Sequence, residues 1–167
     1  MPRREDTRLL TGRGRFIDDL LPKAVTHAVV YRSPIAHGRV SGLDLSEARS
    51  VPGVLAIITQ ADLDEDGIGP LRARASVSSI DGQPMIEPER SVLARGEVKY
   101  VGHPIAFVVA ETPEAALDGA DAIDARFEEL AVVTGTDAAR ADGAPTIWPD
   151  APDNTSFQWQ LGNGDSV

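Results

Sequence analysis

Glu97 to Glu129, EVKYVGHPIAFVVAETPEAALDGADAIDARFEE, is the stretch in which all local signals agree, and it reads as strand, tight turn, strand, helix, strand. Ile105 to Ala110 is an unbroken apolar run, IAFVVA, rich in β-branched and aromatic types, which predicts a strand covered on both faces. Gly102 and Pro104 punctuate the chain before it, so Glu97 to Val101 is expected to fold back beside it as a short partner. Thr112 stands at the N-cap position, Pro113 at the first helical position and Glu114 in the electropositive first turn. The helix this predicts places Ala116, Ala120 and Ile123 on one face, and the alanines are small enough for close approach to a sheet. Ala125 to Phe127 follows as a short strand. The unit holds no Ser, no Cys and one His, so it is a packing unit and not a catalytic one.

Working outward, Val25 to Arg32 and Arg39 to Leu45 read as strands joined by the loop at Pro34 to Gly38, forming either a long-looped hairpin or adjacent strands. Ser46 to Ser50 predicts a one-turn helix capped by Ser46 and stopped at Val51-Pro52-Gly53. Val54 to Thr59, VLAIIT, is the second apolar run and, beside IAFVVA, the candidate for a central strand. Gln60 to Pro88 is dotted with Gly, Ser and Pro and is read as a solvent-exposed loop. Asp62, Asp64, Asp66 and Gly67 match part of a calcium-loop pattern, but the twelfth position is Ala73 and no flanking helices are expected. Thr136 to Arg140 predicts a short helical turn. Pro145, Pro149 and Pro152 then interrupt regular structure, leaving a wrapping tail whose apolar anchors are Trp148, Phe157 and Trp159.

The chain of 167 residues is long enough for one sizeable core, and its 42% hydrophobic and 25% charged residues suit a soluble globular domain. The first 110 residues hold 14 basic and 14 acidic side chains and the remainder 2 and 12, so the whole net charge of −10 belongs to the last third. Such an acidic third repels phosphate backbones and argues against nucleic acid as the main partner. No run reaches the roughly 20 apolar residues of a membrane span. The opening residues carry charges of both signs and no apolar signal core, so a cytoplasmic location is expected. With no Cys, disulfides, thiolate zinc sites and iron–sulfur ligation are excluded from these residues.

Residues 1–19 form a predicted extended arm bearing Arg3, Arg4, Arg8, Arg13 and Arg15, which is expected to dock on acidic surface, its own or a neighbour's. Gly12-Arg13-Gly14-Arg15 is not a dinucleotide fingerprint, because Ile17 occupies the third glycine position and no strand precedes it. His27, His37 and His103 fall at no metal-ligand spacing and are expected to be capped or surface histidines. Nucleophile-elbow and P-loop motifs are absent, and Glu128 and Glu129, adjacent on a strand, point to opposite sides. No catalytic, cofactor-binding or metal-ligating residue is therefore assigned. The fold class expected is α+β, a mixed sheet with short helices packed on it between the arm and the tail.

The ordered set RREDTRLLTGRGRFIDDL, RSPIAHGRVSGLDLSEARSVPGVLAIITQADL and VKYVGHPIAFVVAETPEAALDGADAI, followed by FEELAVV, resembles the N-terminal region of the molybdopterin-binding large subunit of the aldehyde oxidase and xanthine dehydrogenase family, especially carbon monoxide dehydrogenase-like large subunits. The resemblance implies an α/β hammerhead domain over residues 20–133 and a linker over 134–167 leading toward a cofactor-binding domain. It further implies that the complete subunit carries a molybdopterin dinucleotide with molybdenum. Such a subunit works with iron–sulfur and FAD subunits or domains, and oxidises aldehydes, heteroaromatics or carbon monoxide. Family glycine-rich and glutamine-bearing loops and the base Glu are expected after Val167, so this chain is expected to be scaffold and interface, inactive alone. Gly162 to Asp165 resembles the lead into the next domain. The alternative from another class is an independent binding module that uses the arginine arm and the Gln60 to Pro88 loop to hold an anionic ligand or a protein partner.

Overall fold

The computed structural model describes residues 3–20, 22, 24–73 and 75–162. In chain order its elements are α1 (Asp6–Leu10), a 3-10 turn (Ile17–Asp19), β1 (His27–Arg32), β2 (Gly38–Asp44), α2 (Ser46–Ser50), β3 (Val54–Thr59), α3 (Gln60–Glu65), β4 (Glu97–Val98), β5 (Pro104–Ala110), α4 (Pro113–Asp121), β6 (Asp124–Glu129) and α5 (Thr136–Ala139). They build an α+β fold with two three-stranded antiparallel sheets, ordered β1-β5-β3 and β4-β2-β6.

The IAFVVA run lies at the centre of the first sheet because it has an apolar strand on either side. Val108 is flanked in register by Val29 of β1 and Ile57 of β3, and it is fully buried. Helix α4 begins where the sequence predicts, with the Thr112 hydroxyl accepting from the Ala115 N–H at 3.1 Å. Ala116, Gly119 and Ala120 are its buried residues. Gly119 brings the helix down onto the sheet: a Cβ there would stand 2.8 Å from Val54 Cγ2 and 3.0 Å from Val108 Cγ1. Leu45, Ala48, Ile57, Ala106, Val108, Ala120 and Ile123 make the core between the helices and this sheet. In the second sheet, β6 alternates exposed Asp124, Arg126 and Glu128 with half-buried Ala125 and Phe127, the pattern of a strand with one wet face.

Several expectations are corrected. The pair of β1 and β2 is not a hairpin; the two strands belong to different sheets, because the Ser33 N–H donates to the His103 carbonyl and the Gly102 N–H to the Ser33 carbonyl, tying the intervening loop to the turn before β5. The partner predicted from Glu97 to Val101 shrinks to Glu97–Val98 and pairs with β2, not β5; Gly102, at φ +84°, turns the chain from one sheet to the other. VLAIIT is an edge strand, since β5 takes the centre. Ser46 does not cap α2: Leu45 is the cap residue, and Asp44 Oδ1 takes the Ser46 N–H at 2.9 Å. The Gln60 to Pro88 segment starts as helix α3, held by Asp62 Oδ2, which accepts from the Thr59 N–H and hydroxyl at 2.6 Å each. The arm is not extended but holds α1 and the 3-10 turn. Among the described residues its arginines make no ion pair with the acidic last third. Of the three predicted anchors Trp148 is half-buried, whereas Phe157 and Trp159 are 41% and 65% exposed. Among the described residues no helix is long and apolar enough to cross a membrane. Leu21 and the part of the Gly162 to Asp165 segment beyond Gly162 lie outside the described residues.

The close approach at Gly119 reverses an ordinary rule. On an exposed helix, Gly→Ala gains about 1 kcal/mol of propensity. Here the stiff valine methyls leave no room, and overpacking costs about 1–3 kcal/mol. Gly119→Ala is therefore expected to lower the urea midpoint, and Thr112→Ala to cost about 1 kcal/mol through loss of the cap.

Candidate functional site

Two buried histidines, Glu97 and Lys99 form a hydrogen-bonded polar cluster. His37, just before β2, and His103, just before β5, are 6% and 7% exposed and hydrogen-bonded, so of the two expected alternatives, capped or surface, both are the capped kind. His37 Nδ1 lies 2.8 Å from the Ala131 carbonyl oxygen, and its Nε2 3.1 Å from Glu97 Oε1. A carbonyl only accepts, so Nδ1 carries a proton; Nε2 donates to Glu97 when the ring is doubly protonated. Lys99 Nζ donates to the same Glu97 Oε1 at 2.6 Å and to the Ile147 carbonyl at 2.7 Å, and stands 4.7 Å from the centroid of the Trp148 ring. The Lys99 backbone N–H donates to His103 Nδ1 at 3.1 Å, and the His103 ring stacks on Tyr100 at 4.5 Å.

The electrostatics follow from these bonds. Burial pushes the Glu97 carboxyl up, but hydrogen bonds from Lys99 and His37, with their charges, outweigh it and hold the group below the usual glutamate range. Burial, helped by the Lys99 charge, pushes His103 below the usual histidine range. A neutral His103 accepting at Nδ1 carries its proton on Nε2.

Chemically this is a clamp. It fastens the segment after β6, through Ala131, Ile147 and Trp148, to the strand end at Glu97 and Lys99. A cleft of 560 Å³ opens beside it, with Arg90, Tyr100, His103 and Trp148 among its lining. Arg95 on the same wall is engaged by Asp64 and Glu89. That engagement, with the Gln60 amide at 2.8 Å, also occupies Asp64, while Asp62 is bound to Thr59, so these two acids of the partial calcium pattern serve α3 and its neighbours. No buried side-chain N or O atom of the described residues lacks a partner. Sequence reading missed Lys99 and Glu97 because their partners lie at positions 37 and 147, and no spacing rule links such distances.

Two outcomes follow. Lys99→Met removes the donor shared by Glu97 and Ile147 and is expected to cost roughly 1–3 kcal/mol; hydrogen exchange across residues 145–154 should rise with it. Because the folded-state value of His103 is depressed, its contribution is fully present above about pH 6.5, the unfolded value. It is lost as the pH falls through the lower folded value, so the wild-type melting temperature should drop below pH 6.5 more steeply than that of His103→Gln, which cannot titrate.

Comparison with known proteins identifies the lineage. The family described as aldehyde oxidase and xanthine dehydrogenase, a/b hammerhead domain, matches residues 11–131. The nicotine 6-hydroxylase large subunit of Paenarthrobacter nicotinovorans is 35% identical over 165 residues, covering 99% of this chain and 19% of that protein. The xanthine dehydrogenase molybdenum-binding subunit of Escherichia coli O157:H7 is 35% identical over 138 residues, covering 83% and 18%. The crystal structure of the Cu,Mo-CO dehydrogenase in its carbon monoxide-reduced state superposes with a TM-score of 0.73 at 28% identity, covering 94% of this chain and 18% of that one. The chain thus spans about a fifth of the length of the curated relatives it matches. It belongs to the aldehyde oxidase and xanthine dehydrogenase family, as an α/β hammerhead domain.

Proposed function

We propose that this chain is the scaffold and interface domain of a molybdenum hydroxylase large subunit, and is not catalytic by itself. The observation that carries the reading is the clamp: its Glu, His and Lys side chains are spent on one another and on carbonyls of the same chain. Among the described residues no three His, Asp or Glu side chains gather at metal-binding distance, and the chain has no Cys. The engagement of the clamp's donors within the chain supports a molybdenum centre held elsewhere in the subunit. The molybdopterin dinucleotide would be held by other domains of the subunit, and iron–sulfur and FAD subunits or domains would accept the electrons. Residues 1–19 would act as an arm, 20–133 as the hammerhead domain and 134–167 as the linker toward the cofactor-binding domain. Oxidation of an aldehyde, a heteroaromatic ring or carbon monoxide in the cytoplasm is the activity the whole assembly would perform.

Metal analysis and a dye-linked oxidase assay test this directly. Purified chain is expected to contain far less than stoichiometric molybdenum and to turn over none of the three substrate classes. Stoichiometric molybdenum with turnover would place the active site within these residues and defeat the proposal.

A further inference from the structure

We infer that the open face of the β1-β5-β3 sheet is the surface on which the remainder of the large subunit packs, an inference that rests on the function proposed above. Register sets Ala28, Val109 and Ala56 in one row across the three strands and Val30, Phe107 and Ile58 in the next. Strand alternation turns all six away from Val29, Val108 and Ile57, which face the core. Helices α2 and α4 cover that core side. The opposite side stays open: Ala28 and Ala56 are exposed, Phe107 is 36% exposed, and Val30, Ile58 and Val109 are only half-buried. Leu55 beside them is 53% exposed.

Both rows are apolar throughout, with no charge and no side-chain hydrogen-bonding group. Such a surface selects an apolar protein face and offers nothing to a phosphate or a carboxylate. The strand that centres it is an uninterrupted apolar run, a pattern belonging to strands covered on both sides, yet one side has its cover within these residues. The relatives indicate where the second cover lies. In them the matched fold is 18–19% of a single polypeptide, so about four-fifths of the chain is tethered beside it at high effective concentration. A second copy of this chain would have to be recruited from bulk solution.

The chain contains no cysteine, so single thiols report the face directly. Ala28→Cys and Ala56→Cys are small changes at exposed positions on the two edge strands, and Leu117→Cys, 53% exposed on α4, serves as reference. Each variant is labelled with a maleimide, once as the chain alone and once in the complex recovered natively from its source cells, with modification read by peptide mass spectrometry. Relative to Leu117→Cys, both face thiols are expected to react about tenfold or more slowly in the complex than in the chain alone. Equal rates in the two states overturn the interface. Slowing that follows the concentration of the chain alone makes a second copy the occupant and overturns the one proposed. Molybdenum content of the same complex separates the levels: molybdenum with equal rates sinks this inference alone, while a complex lacking any molybdenum-containing polypeptide sinks the functional reading beneath it.

Discussion

The close seating of α4 on β5 is the constraint on which the fold depends. A helix can approach a sheet this nearly only where its contact face is stripped of bulk, and Ala116, Gly119 and Ala120 do this on one face of α4. Val108 fills the space they leave, and Val29 and Ile57 brace it from the flanking strands. Ile123, just past the helix, completes the same core. The cap at Thr112 then sets where the helix begins, and so which residues face the sheet. Start, spacing and side-chain size are mutually consistent, which is how a short nine-residue helix with little intrinsic stability becomes fixed.

The second organising element is electrostatic. Lys99, Glu97, His37 and His103 sit where the two sheets and the tail meet, and they tie β2, β4 and the segment after β6 together. A desolvated group without partners would be costly, yet each charge here has its counterpart within hydrogen-bonding distance. This network explains how a Pro-rich segment without regular structure stays attached: Ile147 contributes a carbonyl, Trp148 a ring face, and Ala131 a second carbonyl to His37. The same saturation leaves the cluster little capacity for outside chemistry. The relatives of this domain include a xanthine dehydrogenase molybdenum-binding subunit and a nicotine hydroxylase large subunit.

Those surfaces differ in character. The outer face of β6 is charged and wet, the arm is exposed with no buried residue in α1, and one face of the first sheet is apolar and open. An apolar open face on a three-stranded sheet is an unfavourable end state for an isolated domain, and in the curated relatives the matched fold is about a fifth of a longer polypeptide.

Local signals in the sequence determined the parts of this protein that depend on neighbours along the chain: the capped start of α4 at Thr112, its small-residue face, the strands within IAFVVA and VLAIIT, and the turn at Gly102. The ordered motifs that resemble the family are of the same local kind. Tertiary structure alone decided how those parts were shared out. Strand edges carry the same backbone donors and acceptors everywhere, so nothing local tells Glu97–Val98 to choose β2 over β5, or separates β1 from β2 into different sheets. Nor does spacing announce that His37, Glu97, Lys99 and Ile147 will meet, because long-range polar contacts arise from the packing of apolar elements that carry them. The IAFVVA run predicted a strand with two covered faces, and the fold supplies one cover from within the chain; the other face is left to whatever packs beyond it.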